Sequence, residues 1–389
     1  MADCQVMVQS KDQTASDVIF TGALMIDERG GPSTTLSAPP NPQLLTGRVG
    51  ALARQLDRLT LTVCLLFSFL GLALAKLVEL PVIQWAPWLI GIFFLVLPHG
   101  GMDDTTPSLV RGEGLRSRAG LGFYAWYLGL LGLVLLTWAL SANLGLLIFL
   151  IFSAYHFGQG DLYWSTLEVG AEAQAGRSRW ASFLLVAGRG LVSVFLPFIR
   201  HDQDSLRIAE SLSEQSGQVI TLAVWASRHR TGLLAGLGLI ALVLISSAAL
   251  RVRRLQIDDR AFREIIETVI LVLLMVTTPP VLSVGVYILC WHAPRHILRL
   301  MLLDPQHQHD LAERRVRQAL VSFHLRSLPL VLAAVVILVL ITAFWLRYDL
   351  APEQLVLPAF IFVNAITIPH IVTVTMLDRF QKIWRRGEP

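Results

Sequence analysis

Charge is scarce in this chain of 389 residues, with Asp, Glu, Lys and Arg together making up 15%. A soluble domain of ordinary composition carries about 25%. Hydrophobic residues reach 54% and the mean hydropathy is +0.59, so the chain is composed for apolar surroundings. Its net charge of +4 is therefore not a nucleic-acid footprint, and no nucleic-acid partner is expected. The arginines are spread through loops, where they report membrane topology instead. Cysteine is scarcer still. Cys4, Cys64 and Cys290 form no C-x-x-C pair and two of them fall in apolar runs, so neither a disulfide framework nor a zinc–thiolate site is supported. A basic segment followed by a short apolar core is also missing after Met1, so the first hydrophobic helix is expected to direct insertion.

What is abundant is long apolar sequence. A transmembrane helix needs about 20 mostly apolar residues. Candidates lie near 59–77, 82–100, 119–140, 142–161, 180–199, 231–250, 265–278, 281–300, 328–347 and 355–377. The run at 265–278 is short and ends in Thr277-Thr278-Pro279-Pro280, a break that either joins two helices or kinks one. The expected fold is an all-α polytopic membrane bundle of eight to ten transmembrane segments, without internal repeats. Residues 1–46 are polar and irregular, with Gly30-Gly31-Pro32 and Pro39-Pro40-Asn41-Pro42, and read as a disordered tail. Residues 47–389 form one helical domain. With the N-terminus inside, most basic residues fall on the inner side, notably Arg251, Arg253, Arg254, Arg314, Arg315, Arg317, Arg385 and Arg386. The outer segment 200–230 reads as a helix lying on the surface.

Against this apolar background the histidines stand out, because polar residues within a bilayer are costly and by default functional. His292 and His296 are four apart, on one helix face with Cβ atoms about 5–6 Å apart, a spacing that suits two imidazoles on one metal ion. His99, His156 and His370 also lie at or near the ends of apolar runs. In the ten-segment topology all five fall in the cytoplasmic half of the bilayer. A lone histidine in an apolar helix is usually a hydrogen-bonded packing residue, but unrelated packing residues have no reason to share a depth. His201, His229, His307, His309 and His324 lie in polar loops or at their borders and are expected to be solvated.

A divalent ion held by four neutral imidazoles keeps two uncompensated charges, which carboxylates on the outer ring nitrogens would offset. Asp103, four residues after His99, and Asp161, five after His156, are placed for that task, the alternative being that they cap helix ends. Arg295 is expected to pair with Asp103 or Asp161, or to reach lipid phosphate. Arg189, in mid-segment, needs a partner that the sequence does not name. Aromatics gather nearby, including Tyr124, Trp126, Tyr127, Phe152, Tyr155, Phe157 and Trp291, either as ordinary packing or as the wall of a flat tunnel for a conjugated lipid.

Pro98-His99-Gly100-Gly101-Met102-Asp103, Ser153-Ala154-Tyr155-His156-Phe157-Gly158, Trp291-His292-Ala293-Pro294-Arg295-His296 and Pro369-His370 together resemble the signatures of the Brp/Blh family of bacterial and archaeal membrane β-carotene 15,15′-dioxygenases. The resemblance covers roughly residues 85–377 and departs from the family pattern at Gly101, Gln159 and Pro294. It implies an iron(II) enzyme of the cell inner membrane that splits the central double bond of β-carotene or a related carotenoid with O2. The implied ligands are His99, His156, His292 and His296. His370 would be a nearby polar group or an alternative ligand, and with Tyr155 and Trp291 it is a candidate catalytic residue; Asp103, Asp161 and Arg295 are candidate supports of the cofactor. The site would face the cytoplasmic side.

Two rivals remain. A di-iron desaturase or hydroxylase resembles this chain in its membrane histidines but carries about eight in several boxes, where this chain has one HxxxH. A non-catalytic carotenoid or retinal carrier, or a transporter, is the other. An opsin is disfavoured, because Lys11, Lys76 and Lys382 are the only lysines and none lies mid-helix for a Schiff base.

Overall fold

In hydrocarbon a long apolar run has one low-cost conformation, the helix, because only there are all its backbone groups bonded within the segment. The computed structural model describes residues 48–105, 118–167, 178–255, 259–347, 356–381 and 383–384, and among these no strand occurs. The proposed tail 1–46 lies outside the described residues. The helices are α1 (Arg48–Ala73), α2 (Pro81–Gly100), α3 (Arg118–Leu140), α4 (Ala142–Leu167), α5 (Arg179–Arg200), α6 (Asp202–Ser216), α7 (Thr221–Arg228) and α8 (Arg230–Leu255). They continue with α9 (Asp259–Thr277), α10 (Pro280 to Met301 in three joined pieces), α11 (Pro305–Ala312), α12 (Val316–Arg347) and α13 (Val356–Phe380). A single turn, Ala75–Val78, links α1 to α2.

Eight of these helices, α1 to α5 with α8, α12 and α13, are long and apolar enough to cross a membrane. The other two expected segments exist as helices but not as apolar spans. The Thr277–Pro280 break separates α9 from α10, with Pro280 in the first turn of α10, where a missing N–H costs nothing. Helix α10 carries Ser283, His292, Arg295, His296 and Arg299, all buried, and a segment that polar persists at membrane depth only inside protein. Segment 200–230 forms α6 and α7.

Burial separates interior from periphery. The spanning window of α5 is 67% buried, whereas those of α3 and α12 are 11% buried and expose leucines such as Leu121, Leu128, Leu332 and Leu340. Helices α4 and α5 are held by a reciprocal contact of small residues. A Cβ at Gly158 would lie 1.9 Å from the Val186 carbonyl oxygen, and one at Gly190 would lie 1.8 Å from that of Ala154. Each helix thus offers two contact positions four residues apart, which lets the backbones meet directly.

The interior also holds a layer of ion pairs. Arg295 donates to Asp57 (2.9 Å), Glu267 (3.0 Å) and Asp161 (3.3 Å), and Arg189 to Glu267 (3.1 Å) and Asp161 (3.3 Å). Arg189 also reaches the Glu264 carbonyl at 3.0 Å. These contacts supply the partner that Arg189 lacked in sequence, and they tie α1, α4, α5, α9 and α10 together. Asp57 was outside the predicted first span because Arg54 and Arg58 flank it, yet α1 begins at Arg48 and buries it.

Gly190→Ala should lower the melting temperature in detergent, by the equivalent of about 1–3 kcal/mol for overpacking. Gly129→Ala, where an added Cβ meets nothing within 4 Å, is the matched control and should not destabilise. Equal melting of the two variants would refute direct backbone contact between α4 and α5.

Candidate metal centre

Two prolines shape the helices that carry three of the five histidines. Proline has no N–H, so the carbonyl four residues earlier loses its helical partner. Before Pro98 the helix widens into a π segment at Ile92–Val96, and before Pro294 another spans Tyr287–His292. In both, the residue preceding the proline bonds five residues back, Leu97 to Ile92 and Ala293 to Ile288. Such π turns are frequent at functional sites. The freed carbonyls find partners on other helices. Cys290 accepts from the Thr60 hydroxyl of α1 at 2.7 Å, and Phe94 receives His324 Nε2 of α12 at 2.9 Å.

From these helices the imidazoles meet. His99 (α2), His156 (α4), His292 and His296 (α10) and His370 (α13) are all at most 6% exposed. His156 and His292 have ring centroids 4.7 Å apart, and His99 lies 5.0 Å from both His296 and His370. His370 is 5.0 Å from His156 and 5.4 Å from His296. The His292 and His296 rings are parallel within 6° at 6.0 Å, as expected for neighbours one turn apart.

The outer nitrogens account for the tautomers. His99 Nδ1 donates to the Leu95 carbonyl at 2.9 Å, which leaves Nε2 bare. Gln159 donates to Thr375 Oγ1 at 3.2 Å, an arrangement that turns its own Oε1 toward His156 Nδ1 at 3.4 Å. His370 Nδ1 donates to Asp103 Oδ1 at 2.9 Å. On the inner side, His156 Nε2 and His292 Nε2 face each other at 3.1 Å. Two nitrogens each about 2.1 Å from one ion would lie near that separation. Both nitrogens of His296 and Nε2 of His370 are buried without a partner. Buried polar atoms are nearly always bonded, and an unpaired group in a native interior calls for an ion or water. One ligating nitrogen each from His99, His156 and His370 lie within 4.8 Å of one another. The donor set, all neutral imidazole, suits iron, copper or zinc.

The expected supports divide. Asp103 does hold an imidazole, but that of His370 rather than that of His99, four residues before it, because His99 turns its Nδ1 back to its own helix. Asp161 bonds no histidine of the cluster in the contacts seen. It accepts from Arg189, Arg295 and, at 2.8 Å, the Trp291 indole N–H. Arg295 belongs to the same layer, its guanidinium 4.5 Å from the Trp291 ring, and of its two expected carboxylate partners it meets Asp161 and not Asp103. Trp291 is fully buried, with its indole N–H committed to Asp161 in that layer. The cause is helical rotation of about 100° per residue, which points Trp291 and Arg295 away from the face that His292 and His296 share. Tyr155 is half-buried and reaches His156 through Gln159, whose amide donates to its hydroxyl at 3.5 Å.

Other contacts had little or no sequence signal. Tyr127, noted only among the aromatics, donates to Asp103 Oδ2 at 3.2 Å. Next to it, Asp104 has its carboxyl pushed up to about 6 by burial and by the neighbouring Asp103 charge. His307, expected in solvent, is fully buried on α11, and His324 lies within α12, where its Nδ1 meets the Leu320 carbonyl at 2.8 Å. The clue available for His324 and Thr60 was the pair of prolines, each of which requires a donor from elsewhere.

Compared with known proteins, the chain matches the family model described as Beta-carotene 15,15'-dioxygenase over residues 90–378. It is 27% identical over 309 residues to a protein of Halobacterium salinarum named "Probable beta-carotene 15,15'-dioxygenase Blh", covering 78% of this chain and 87% of that one. No solved structure matches it.

Thr60→Val should destabilise the protein by about 1–3 kcal/mol, since it strands the Cys290 carbonyl in the interior. Thr62→Val, whose hydroxyl bonds only the Arg58 carbonyl of its own helix in the contacts seen, should melt with the wild type. Thermal melts in detergent compare them, and equal melting temperatures would show that Cys290 needs no outside donor.

Proposed function

The chain belongs to the beta-carotene 15,15'-dioxygenase family, and from that premise we propose that it uses iron(II) and O2 to cleave the central double bond of β-carotene into two retinals within the bilayer. As a carotenoid-cleaving dioxygenase with eight helices fit to cross a membrane, it is a multi-pass membrane enzyme. The cell inner membrane is the proposed location, with the N-terminus and the metal site toward the cytoplasm. The observation that supports a metal centre is the meeting of five buried imidazoles, two of which keep ring nitrogens without a partner, and the choice of iron rests on the oxidative chemistry of the family.

In this reading His99, His156, His292 and His296 hold the ion. When bound, iron(II) supplies the redox-active centre through which O2 becomes able to react with a closed-shell polyene. The protein does the rest. The Leu95 carbonyl and Gln159 hold the outer nitrogens of His99 and His156, so that the inner ones stay unprotonated. Burial keeps water away, and the Phe157 ring, 4.8 Å from that of His292, offers a flat apolar surface to a polyene. Positioning decides which double bond is attacked. One carbon–carbon double bond breaks and two carbonyl groups form, so both oxygen atoms enter product and no external reductant is consumed.

Expression in a bacterial host that accumulates β-carotene tests the reaction, with loss of orange colour and the appearance of retinal expected. His156→Ala should abolish both bound iron and retinal formation, whereas the wild type carries one iron per chain. Full metal content with full turnover in that variant would remove His156 from the ligand set, two irons would favour a desaturase, and none in the wild type a carrier. Deletion of residues 1–46, which precede the matched region, should leave retinal production nearly unchanged. A well-folded but inactive truncation would contradict the assignment of that tail as dispensable.

A further inference from the structure

His370 sits where a spare polar residue would be hard to accommodate. Its ring is ringed by three other imidazoles, those of His99 and His156 at 5.0 Å and that of His296 at 5.4 Å. Its Nδ1 lies 2.9 and 3.1 Å from the two oxygens of Asp103, so the Nδ1 proton is held by the carboxylate. That bond leaves Nε2 bare, and in a residue only 6% exposed Nε2 has no partner. A histidine that merely packed would gain nothing by aiming an unpaired nitrogen at three others. A histidine that ligates needs this arrangement, with a carboxylate on the outer nitrogen to fix the tautomer and raise the basicity of the inner one.

We infer that His370 is a fifth ligand of the ion, and that Asp103 and Tyr127 are the positioning residues that hold it. This rests on the reading of the histidine cluster as a metal centre. Tyr127 donates from α3 to Asp103 Oδ2 at 3.2 Å and also faces the Ile366 carbonyl at 3.3 Å, one turn before His370 on α13. Asp103 itself follows His99 by four residues, in the turn that ends α2. One carboxylate therefore couples the helix that carries His99 to the helix that carries His370. It also brings a negative charge to within one imidazole of the ion, in surroundings where neutral ligands leave the divalent charge uncompensated.

The test uses full-length protein in detergent loaded with cobalt(II), whose visible ligand-field bands respond to the number and arrangement of donors. The expected results are that His370→Ala binds one cobalt per chain with altered bands and weaker affinity, and that His370→Gln does the same with less loss of fold. Asp103→Asn should keep the wild-type band pattern while weakening affinity by about 10–100-fold. Tyr127→Phe should weaken it less. Exogenous imidazole added to His370→Gly should restore the wild-type bands. Unchanged bands and affinity in both His370→Ala and His370→Gln would overturn the assignment of His370 while leaving the metal centre intact. Unchanged affinity in Asp103→Asn would overturn the positioning role. Failure of the wild type to bind cobalt at all would overturn the metal-centre reading and this inference with it.

Discussion

A carbonyl oxygen in hydrocarbon must have a donor, and much of this structure follows from meeting that demand at two prolines. Pro98 and Pro294 each leave a carbonyl four residues back without its helical N–H. In water a solvent molecule would serve. Here the Thr60 hydroxyl serves Cys290 and His324, in its Nε2–H tautomer, serves Phe94, and each brings its own helix against the one it repairs. The same prolines allow the π turns at Ile92–Val96 and Tyr287–His292, which change the rotational phase of everything that follows. His99 follows the first turn, His292 ends the second, and His296 comes one helical turn later. The placement of His99, His292 and His296 thus follows from how two broken helices are made whole.

A second demand comes from charge. Arg189 and Arg295 are buried, and a buried charge persists only when paired and hydrogen-bonded. Asp57, Asp161 and Glu267, on three different helices, satisfy them together. The layer lies next to the imidazoles in sequence, with Arg295 preceding His296 and Asp161 following His156 by five. Helical rotation nevertheless sends these side chains to another face. The separation matters chemically, because a guanidinium turned toward the cluster would oppose binding of a cation there. Asp103 instead, outside the arginine layer, meets His370.

The two demands also explain which helices are central. Helix α10 has the ionic and imidazole residues on different faces and is too polar to qualify as an apolar span, so it is enclosed by α1, α2, α4, α5 and α9. Helices α3 and α12 remain largely apolar and exposed, and their polar reaches toward the histidine-bearing helices include Tyr127 to Asp103 and His324 to Phe94.

Composition and the spacing of apolar runs were enough to determine an all-α membrane bundle, the break at Thr277–Pro280, and the five histidines as the residues to watch, because hydropathy and helical period are local properties of a segment. The pairings were decided only in three dimensions. Asp103 went to His370 and Asp161 to the arginines, Trp291 turned to the ionic layer, and Asp57 and Glu267 entered the core unannounced. Each of those outcomes depends on the rotation of one helix relative to another. That rotation is set by contacts such as Gly158 on Val186 and Gly190 on Ala154, between residues far apart along the chain. No reading of one segment at a time contains it.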